Sequence, residues 1–167
     1  RLELYDQIIL TNDSLWGPIT PLEGLFDRIN ACKADVIGLT DDLMYEYHLQ
    51  SSFLVFRKGA FTHDAFKEFW SSIKNQDNKR NVVKEYEVGL SRRLVDAGLK
   101  LESLYTKNSN GNVLHYCWKD LIREQNFPFL KVSLLRDNPM LQDIDDWFSI
   151  IKRTNYQLAK LIASQIN

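Results

Sequence analysis

Three small polar residues follow an apolar run near the start of the chain. The run at residues 8–10 is typical of a buried β-strand, and Asn12, Asp13 and Ser14 come soon after it. Open parallel sheets bind ligands at the carboxyl ends of their strands, so this interpretation predicts a ligand-facing group. The alternative is a turn that leads into a helix cap, since Asn, Asp and Ser favour such positions. The triplet alone leaves both interpretations open.

Two later apolar runs also carry polar groups at one end. The predicted strand at 34–40 runs into Asp41 and Asp42, and segment 47–56 begins polar before becoming almost wholly apolar. The second pattern is typical of a central strand whose first residues line a cleft. The polar residues of that segment that we single out are His48, Gln50 and Ser51. For His48, the alternative is a structural histidine held by hydrogen bonds.

A single arginine stands in a polar turn late in the chain. Arg136 precedes Asp137, Asn138 and Pro139. A guanidinium group can bind phosphate oxygens at two positions, which makes Arg136 a candidate for holding a diphosphate. Equally, Arg136 and Asp137 can pair with each other to close the turn before the proline.

Composition limits what these groups can bind. The chain has 167 residues, of which 44% are hydrophobic and 26% charged, as is ordinary for a soluble globular protein. The 21 Lys and Arg residues balance 22 Asp and Glu residues, so no overall basic field exists to hold nucleic acid. Any phosphate group must be bound locally. Cys32 and Cys117 fit no metal-ligand spacing and indicate free thiols in a reducing compartment, with a single disulfide left open.

Apolar periodicity predicts alternating strands and helices in one α/β domain over residues 1–167. One helix is predicted to start near residue 82 and to end at Gly98, a residue suited to the left-handed conformation. A last amphipathic helix is predicted over residues 143–167, and a loop over residues 107–112. The aromatic residues assigned to the core are Phe66, Phe69, Trp70, Trp147 and Phe148.

The order of these motifs resembles the rhamnan synthesis protein F family of bacterial polysaccharide glycosyltransferases. The matching blocks lie at residues 9–14, 17–18, 38–41, 48–56, 69–70, 86–91 and 135–139. The resemblance implies a GT-A-like fold, a Rossmann-like mixed sheet flanked by helices, in what looks like a truncated domain. It also implies that Asn12, Asp13 and Ser14 correspond to the acidic motif through which such enzymes hold a diphosphate.

In the broader GT-A group that motif works through a divalent cation. Mg²⁺ or Mn²⁺ on carboxylate oxygens stabilises the charge that develops on the leaving nucleoside diphosphate. This sequence offers one carboxylate, Asp13, where the group's pattern has two. A metal on Asp13 is therefore one of two open interpretations.

The segment at residues 87–94 is similar to a helix of inverting GT-A enzymes that carries an acidic general base. The resemblance implies that Glu87 is this base, with Glu85 as the second choice. An inverting transfer needs a carboxylate that takes the proton of the acceptor hydroxyl as its oxygen attacks the sugar. The alternative is a glutamate placed near the start of a helix, where the helix dipole favours it.

The resemblance implies transfer of a deoxysugar, rhamnose from a dTDP-sugar donor, onto a polysaccharide or lipid-linked glycan at the bacterial cell surface. The nucleotide-sugar-binding residues would be Asn12, Asp13, Ser14, Asp41, His48, Gln50, Ser51 and Arg136. We expect a cytoplasmic protein, located by its acceptor near the inner face of the membrane, without a membrane span.

Little sequence precedes residue 8 to bind the base and ribose of a nucleotide, and the sequence begins at Arg1 rather than at a methionine. We therefore expect the chain to work with other domains of a longer parent and to be inactive alone. The alternative function is a non-catalytic binding or scaffold module of a multidomain polysaccharide-biosynthesis protein.

Overall fold

A computed structural model describes residues 2–107 and 111–166. In chain order its elements are a 3-10 helix (Leu2–Leu4), β1 (Gln7–Thr11), β2 (Leu15–Trp16), α1 (Glu23–Ala31), β3 (Val36–Gly38), β4 (Asp41–Asp42), β5 (His48–Leu49), β6 (Phe53–Arg57), α2 (Lys58–Phe61), α3 (Asp64–Ser71), α4 (Lys79–Val82), a π-helix (Val83–Val88), α5 (Gly89–Asp96), β7 (Leu101–Ser103), α6 (Val113–Tyr116), α7 (Trp118–Gln125), β8 (Leu130–Lys131), α8 (Val132–Arg136), α9 (Trp147–Lys152) and α10 (Tyr156–Ile166). None of the helices described here is long and apolar enough to cross a membrane. The predicted loop at 107–112 lies partly outside the described residues.

The chain forms two compact units. The first comprises Arg1–Asn12 and Ile29–Thr106, and the second comprises Asp13–Arg28 and Lys107–Asn167. The boundary falls inside the polar triplet, so Asn12 belongs to the first unit while Asp13 and Ser14 belong to the second. Whether the chain acts as a single domain stays a prediction.

A four-stranded mixed sheet organises the first unit, in the order β1-β6-β3-β7. Strand β6 is antiparallel to both of its neighbours, whereas β3 and β7 are parallel. Strands β1, β3 and β7 therefore run in the same direction, and their carboxyl ends share one edge of the sheet with the start of β6. Helices α2, α3 and α5 bury the apolar residues of the sheet. The predicted mixed α/β architecture is confirmed.

The strand predicted at residues 8–10 is present, but the prediction that it is buried is wrong. Strand β1 lies at an edge of the sheet, and of the described strands only β6 pairs with it. Ile9 is 37% exposed, and Ile8 and Leu10 are half-buried. An Ile-Ile-Leu run has the same composition in an edge strand as in a central one, so the local pattern does not distinguish the two positions.

The predicted long strand at 47–56 is divided. Residues of β5 pair with β4 in a separate two-stranded sheet, and β6 joins the main sheet between β1 and β3. The N–H of Gln50 donates to the main-chain oxygen of Thr40 at 2.9 Å, which continues the pairing of β5 with β4 by one residue before β6 begins. The central position predicted for the apolar half of the segment is confirmed.

The predicted C-terminal helix is also divided, into α9 and α10. Asn155 begins the second helix, because its Oδ1 accepts a hydrogen bond from the N–H of Leu158 at 3.0 Å. Buried residues of both helices, Ile151 and Ile162, lie in the same core cluster of the second unit. The predicted apolar stripe is therefore confirmed, whereas the helix cap at Asn155 that divides it was not predicted.

Most of the aromatic residues assigned to the core pack as expected. Phe66 and Phe69 are buried, and Trp147 and Phe148 pack against the core of the second unit while half-buried. Trp70 is an exception at 42% exposed, because Phe66 and Phe69 occupy the inner face of α3 and leave its ring at their outer edges.

Two helix boundaries can be compared with the sequence pattern. The helix predicted from about residue 82 starts earlier, at α4, where the side chain of Asn78 accepts a hydrogen bond from the N–H of Asn81. Its end at Gly98 is confirmed by a φ of +82°.

We expect Gly17→Ala to lower the free energy of unfolding by about 1–3 kcal/mol. A Cβ at this position would overlap the ring of Phe129 and lie 2.8 Å from the main-chain oxygen of Pro128. The matched control is Gly24→Ala in α1, where a Cβ meets nothing within 4 Å. Urea titration followed by circular dichroism measures both. Equal stability of the two variants would show that the Gly17 contact relaxes at no cost.

Candidate active site

Ser51 is the point where three of the predicted site residues meet. Its N–H donates a hydrogen bond to Oε1 of Glu87 at 2.6 Å. The side-chain amide of Asn12 donates to the carbonyl of the same residue, at the long distance of 3.5 Å. The structure therefore brings Glu87 and Asn12 to the main chain of the same exposed residue at the polar edge of the sheet.

The position of Glu87 is set by the π-helix. The N–H of Gly89 bonds to the carbonyl of Lys84, five residues earlier, which is the π pattern. Such segments are frequent at functional sites, because they redirect side chains on an otherwise regular helix. Glu87 is half-buried, and the Ser51 bond is the one hydrogen bond to its carboxylate among the described residues. Its second oxygen is thus available to accept a proton.

Glu85 differs from Glu87 in its surroundings although both lie in the π-helix. Its side chain is exposed, and it makes no hydrogen bond or ion pair with the described residues. A solvated carboxylate without fixed orientation is a poorer general base than one held in place. The structure therefore fixes the orientation of the Glu87 carboxylate and not that of Glu85, while the catalytic role of either stays a prediction.

Buried hydrogen bonds hold the main chain that leads to Ser51. The N–H of Leu49 donates to Oγ of Ser91 at 3.1 Å, and the Thr40 hydroxyl donates to Oε1 of Gln50 at 2.6 Å. Thr40 and Ser91 were not singled out from the sequence. Gln50 is 7% exposed and its side-chain oxygen is engaged, so its visible role is to fix the strand. Its role in ligand binding stays a prediction.

Asp41 and His48 lie at the base of the β4–β5 hairpin. A carboxylate oxygen of Asp41 accepts a hydrogen bond from Oγ of Ser103 at 2.8 Å. His48 is 2% exposed, with Nδ1 at 2.9 Å from the carbonyl of Glu46. Since a carbonyl only accepts, Nδ1 must carry the proton. This burial matches the structural alternative for His48, while the ligand-binding role stays a prediction.

The remaining predicted residues lie in the second unit. Ser14 Oγ accepts a hydrogen bond from Nζ of Lys131 at 2.9 Å. Arg136 donates three hydrogen bonds to Asp137, and these bonds and the charges of Asp137 and Asp13 raise the pKa of the guanidinium. The turn-closing pair anticipated from the sequence is thus present. Lys131 was missed, because one lysine within an apolar segment carries no distinctive pattern.

Few carboxylate, imidazole or thiol groups lie together in the part of the chain that the structure describes. Within residues 2–107 and 111–166, no group of three or more His, Cys, Asp or Glu side chains is arranged to hold a metal ion. The charge of Asp13 acts on the Arg136 guanidinium, which also binds the carboxylate of Asp137, and helps to raise the pKa of that guanidinium. A divalent cation on Asp13 stays a prediction.

The chain matches the family model described as rhamnan synthesis protein F over residues 1–167. It is 29% identical over 102 residues to the uncharacterized protein y4gN of Sinorhizobium fredii, a match that covers 59% of this chain and 27% of that protein. It is 25% identical over 170 residues to virulence protein VirA of Vibrio anguillarum, covering 82% of this chain and 54% of VirA. The chain thus spans about half or less of the curated relatives it matches. No solved structure matches. Because the family match covers the whole sequence, the chain belongs to the rhamnan synthesis protein F family.

Proposed function

We propose that the chain is part of an inverting, GT-A-like glycosyltransferase in which Glu87 is the general base. The observation that carries this proposal is the half-buried Glu87 carboxylate, fixed through one oxygen by the Ser51 N–H at 2.6 Å and open at the other. The family relationship supports the reaction class. The donor sugar, rhamnose on dTDP, rests on the family's description alone.

In the proposed reaction, an acceptor hydroxyl gives its proton to the second oxygen of Glu87. The hydroxyl oxygen forms a bond to the anomeric carbon as the bond from that carbon to the diphosphate breaks. The electron pair of the broken bond leaves with the nucleoside diphosphate, and the configuration of the anomeric carbon inverts. The step asks the protein for one general base, because the leaving group is already an anionic diphosphate.

The location of Glu87 relative to the sheet supports the GT-A-like interpretation. Open α/β sheets bind ligands at the carboxyl ends of their strands, and the Ser51 peptide lies where β1 ends and β6 begins. Asp41 and Ser103 stand just after β3 and at the end of β7, along the same edge. These groups can hydrogen-bond sugar hydroxyls. Fold alone does not establish function, so the proposal depends on the carboxylate rather than on the topology.

The second candidate is a non-catalytic module of a polysaccharide-biosynthesis protein. One observation favours it: the Arg136 guanidinium and the Gln50 side-chain oxygen are both engaged by neighbouring side chains. A binding module that kept the fold after losing its donor site would show this pattern. The two candidates differ in whether a nucleotide sugar binds.

Calorimetric titration with dTDP-rhamnose separates the two candidates. It should be made on this 167-residue chain and on the full-length protein, with and without Mn²⁺. We expect the full-length protein to bind the donor and to release dTDP when a rhamnose-containing acceptor is added. Absence of heat from both proteins would contradict the glycosyltransferase proposal and support the binding module.

A further inference from the structure

We propose that the outer edge of β1 is covered by an extended, apolar segment of the same polypeptide that lies outside these 167 residues. Strand β1 stands last in its sheet, and of the described strands only β6 pairs with it. The outer side of such a strand presents N–H and C=O groups to which another strand can bond. The added strand would complete the sheet whether or not Glu87 acts as a base.

Two main-chain hydrogen bonds show which groups of β1 face away from β6. The carbonyl of Asp6 accepts a hydrogen bond at 2.8 Å from the residue that follows β6, and the N–H of Asn12 donates at 3.3 Å to the residue that precedes β6. Hydrogen-bonded positions alternate along an antiparallel pair, so the even-numbered residues of β1 face β6. The N–H and C=O groups of Gln7, Ile9 and Thr11 therefore point outward, where a further strand would lie.

The composition of β1 is typical of a strand with a neighbour on each side. Native proteins protect solvent-facing edges with lysine, proline, bulges or very short strands. The sequence Gln-Ile-Ile-Leu-Thr contains neither a charge nor a proline, and its five residues match the length of the central strand β6. Its register with β6 is unbroken from Gln7 to Thr11, so no bulge lies between them. None of these protective features is present in β1.

An apolar groove adjoins β1 on the face of the sheet that packs against α3. Its volume is about 800 Å³, and its lining includes Tyr5, Ile8, Leu10, Phe66 and Trp70. Successive side chains of a strand point to opposite faces, so Ile9, which is 37% exposed, lies on the other face of the sheet. A strand bonded to β1 would therefore meet apolar neighbours on both faces. We expect the added segment to be apolar throughout, as is typical of strands buried on both faces.

The length of the relatives favours the same polypeptide as the source of this segment. The chain spans about half or less of the curated relatives that it matches. A segment tethered to the sheet acts at an effective concentration in the millimolar range. A second copy would bond only to the outward groups of one five-residue strand and would lose its free translation and rotation on binding. The second copy is the rival occupant that the experiments distinguish.

Hydrogen exchange of the full-length protein, resolved to single amides by NMR, tests whether β1 is covered. A covered strand predicts that the outward amides of Ile9 and Thr11 exchange about 100-fold or more slower than in a free chain. The inward amides of Ile8 and Leu10, which bond to β6, are the internal control and should be slow in either case. Fast exchange at Ile9 and Thr11 beside slow exchange at Ile8 and Leu10 would overturn the proposal.

Photo-crosslinking of the full-length protein identifies the occupant. p-Benzoylphenylalanine in place of Ile9 should form an intramolecular cross-link to a peptide outside residues 1–167, which mass spectrometry identifies. The same group in place of Val95, which is 50% exposed on α5, is the matched control and should not cross-link to that peptide. A cross-link from position 9 to a second copy, or to a peptide within residues 1–167, would overturn the proposal.

Ile9→Lys in the full-length protein gives an independent measure by thermal melting. Lysine is frequent on solvent-facing edges, so a free edge predicts a melting temperature equal to that of the parent. A covered strand predicts a melting temperature lower by several degrees, because the added charge must be buried or the segment displaced. Val95→Lys should leave the melting temperature unchanged, and the same result for Ile9→Lys would contradict the proposal. None of these measurements depends on sugar transfer, so the proposed function can fail separately.

Discussion

Glu87→Gln in the full-length protein is expected to lower turnover by about 100-fold or more, the size expected for the loss of a general base. Glutamine has nearly the same shape, and its amide oxygen can accept the Ser51 N–H in place of the carboxylate oxygen. It cannot take a proton from the acceptor hydroxyl. Donor binding should therefore stay close to normal while kcat falls. Release of dTDP measures turnover, and calorimetry measures binding.

Glu85→Gln is the matched control for this variant. It makes the same chemical change within the same π-helix, at an exposed side chain. We expect turnover within about two-fold of the parent, because an exposed carboxylate away from the reacting atoms contributes little. Comparable losses in the two variants would indicate a general electrostatic effect. Near-normal turnover of Glu87→Gln would remove Glu87 from the mechanism.

The second large effect is expected from Phe56→Ala, which should lower the free energy of unfolding by about 3–5 kcal/mol. Phe56 lies in β6, is fully buried, and packs against Phe66 with ring centroids 5.0 Å apart. Truncation removes apolar contacts and leaves a cavity between the sheet and α3. Because β6 begins next to Ser51, loosening this strand should also loosen the peptide that holds Glu87.

Tyr5→Ala provides the comparison, since it truncates another aromatic residue of the first unit at a position 60% exposed. Its effect on the free energy of unfolding should stay within about 0.5 kcal/mol, as for most surface substitutions. Guanidinium titrations of both variants and the parent give the values. If Phe56→Ala lowered the free energy of unfolding by less than about 1 kcal/mol, the scale of a single buried methylene group, the sheet and α3 would have to repack around the missing ring.

Local sequence patterns predicted which helices and strands form better than they predicted which strands pair with each other. Strand β3, the apolar half of β6 and the end of α5 at Gly98 follow from composition and turn chemistry, which act over a few residues. The edge position of β1 does not, because it depends on which distant strands pair with it. The division of the C-terminal helix depended on Asn155, whose capping bond is a local signal that the long apolar stripe concealed.

The contacts within the candidate site are even harder to predict from local sequence patterns than the strand pairing is. Glu87 and Asn12 were singled out through the order of motifs that resembles the family, yet nothing in their spacing predicts that both contact Ser51, 36 and 39 residues away. Lys131 carries no sequence signal at all until the pairing of β2 with β8 brings it to Ser14. Side chains that meet through strand pairing are therefore the part of the site that sequence patterns predict least well.

The most direct test of the proposed chemistry is the anomeric configuration of the product, measured by NMR after the full-length protein has transferred rhamnose from dTDP-rhamnose to a rhamnose-containing acceptor. A single displacement assisted by the Glu87 carboxylate predicts a product whose configuration is opposite to that of the donor. A product that retains the donor's configuration would contradict it, because retention requires a second displacement or a different course of attack.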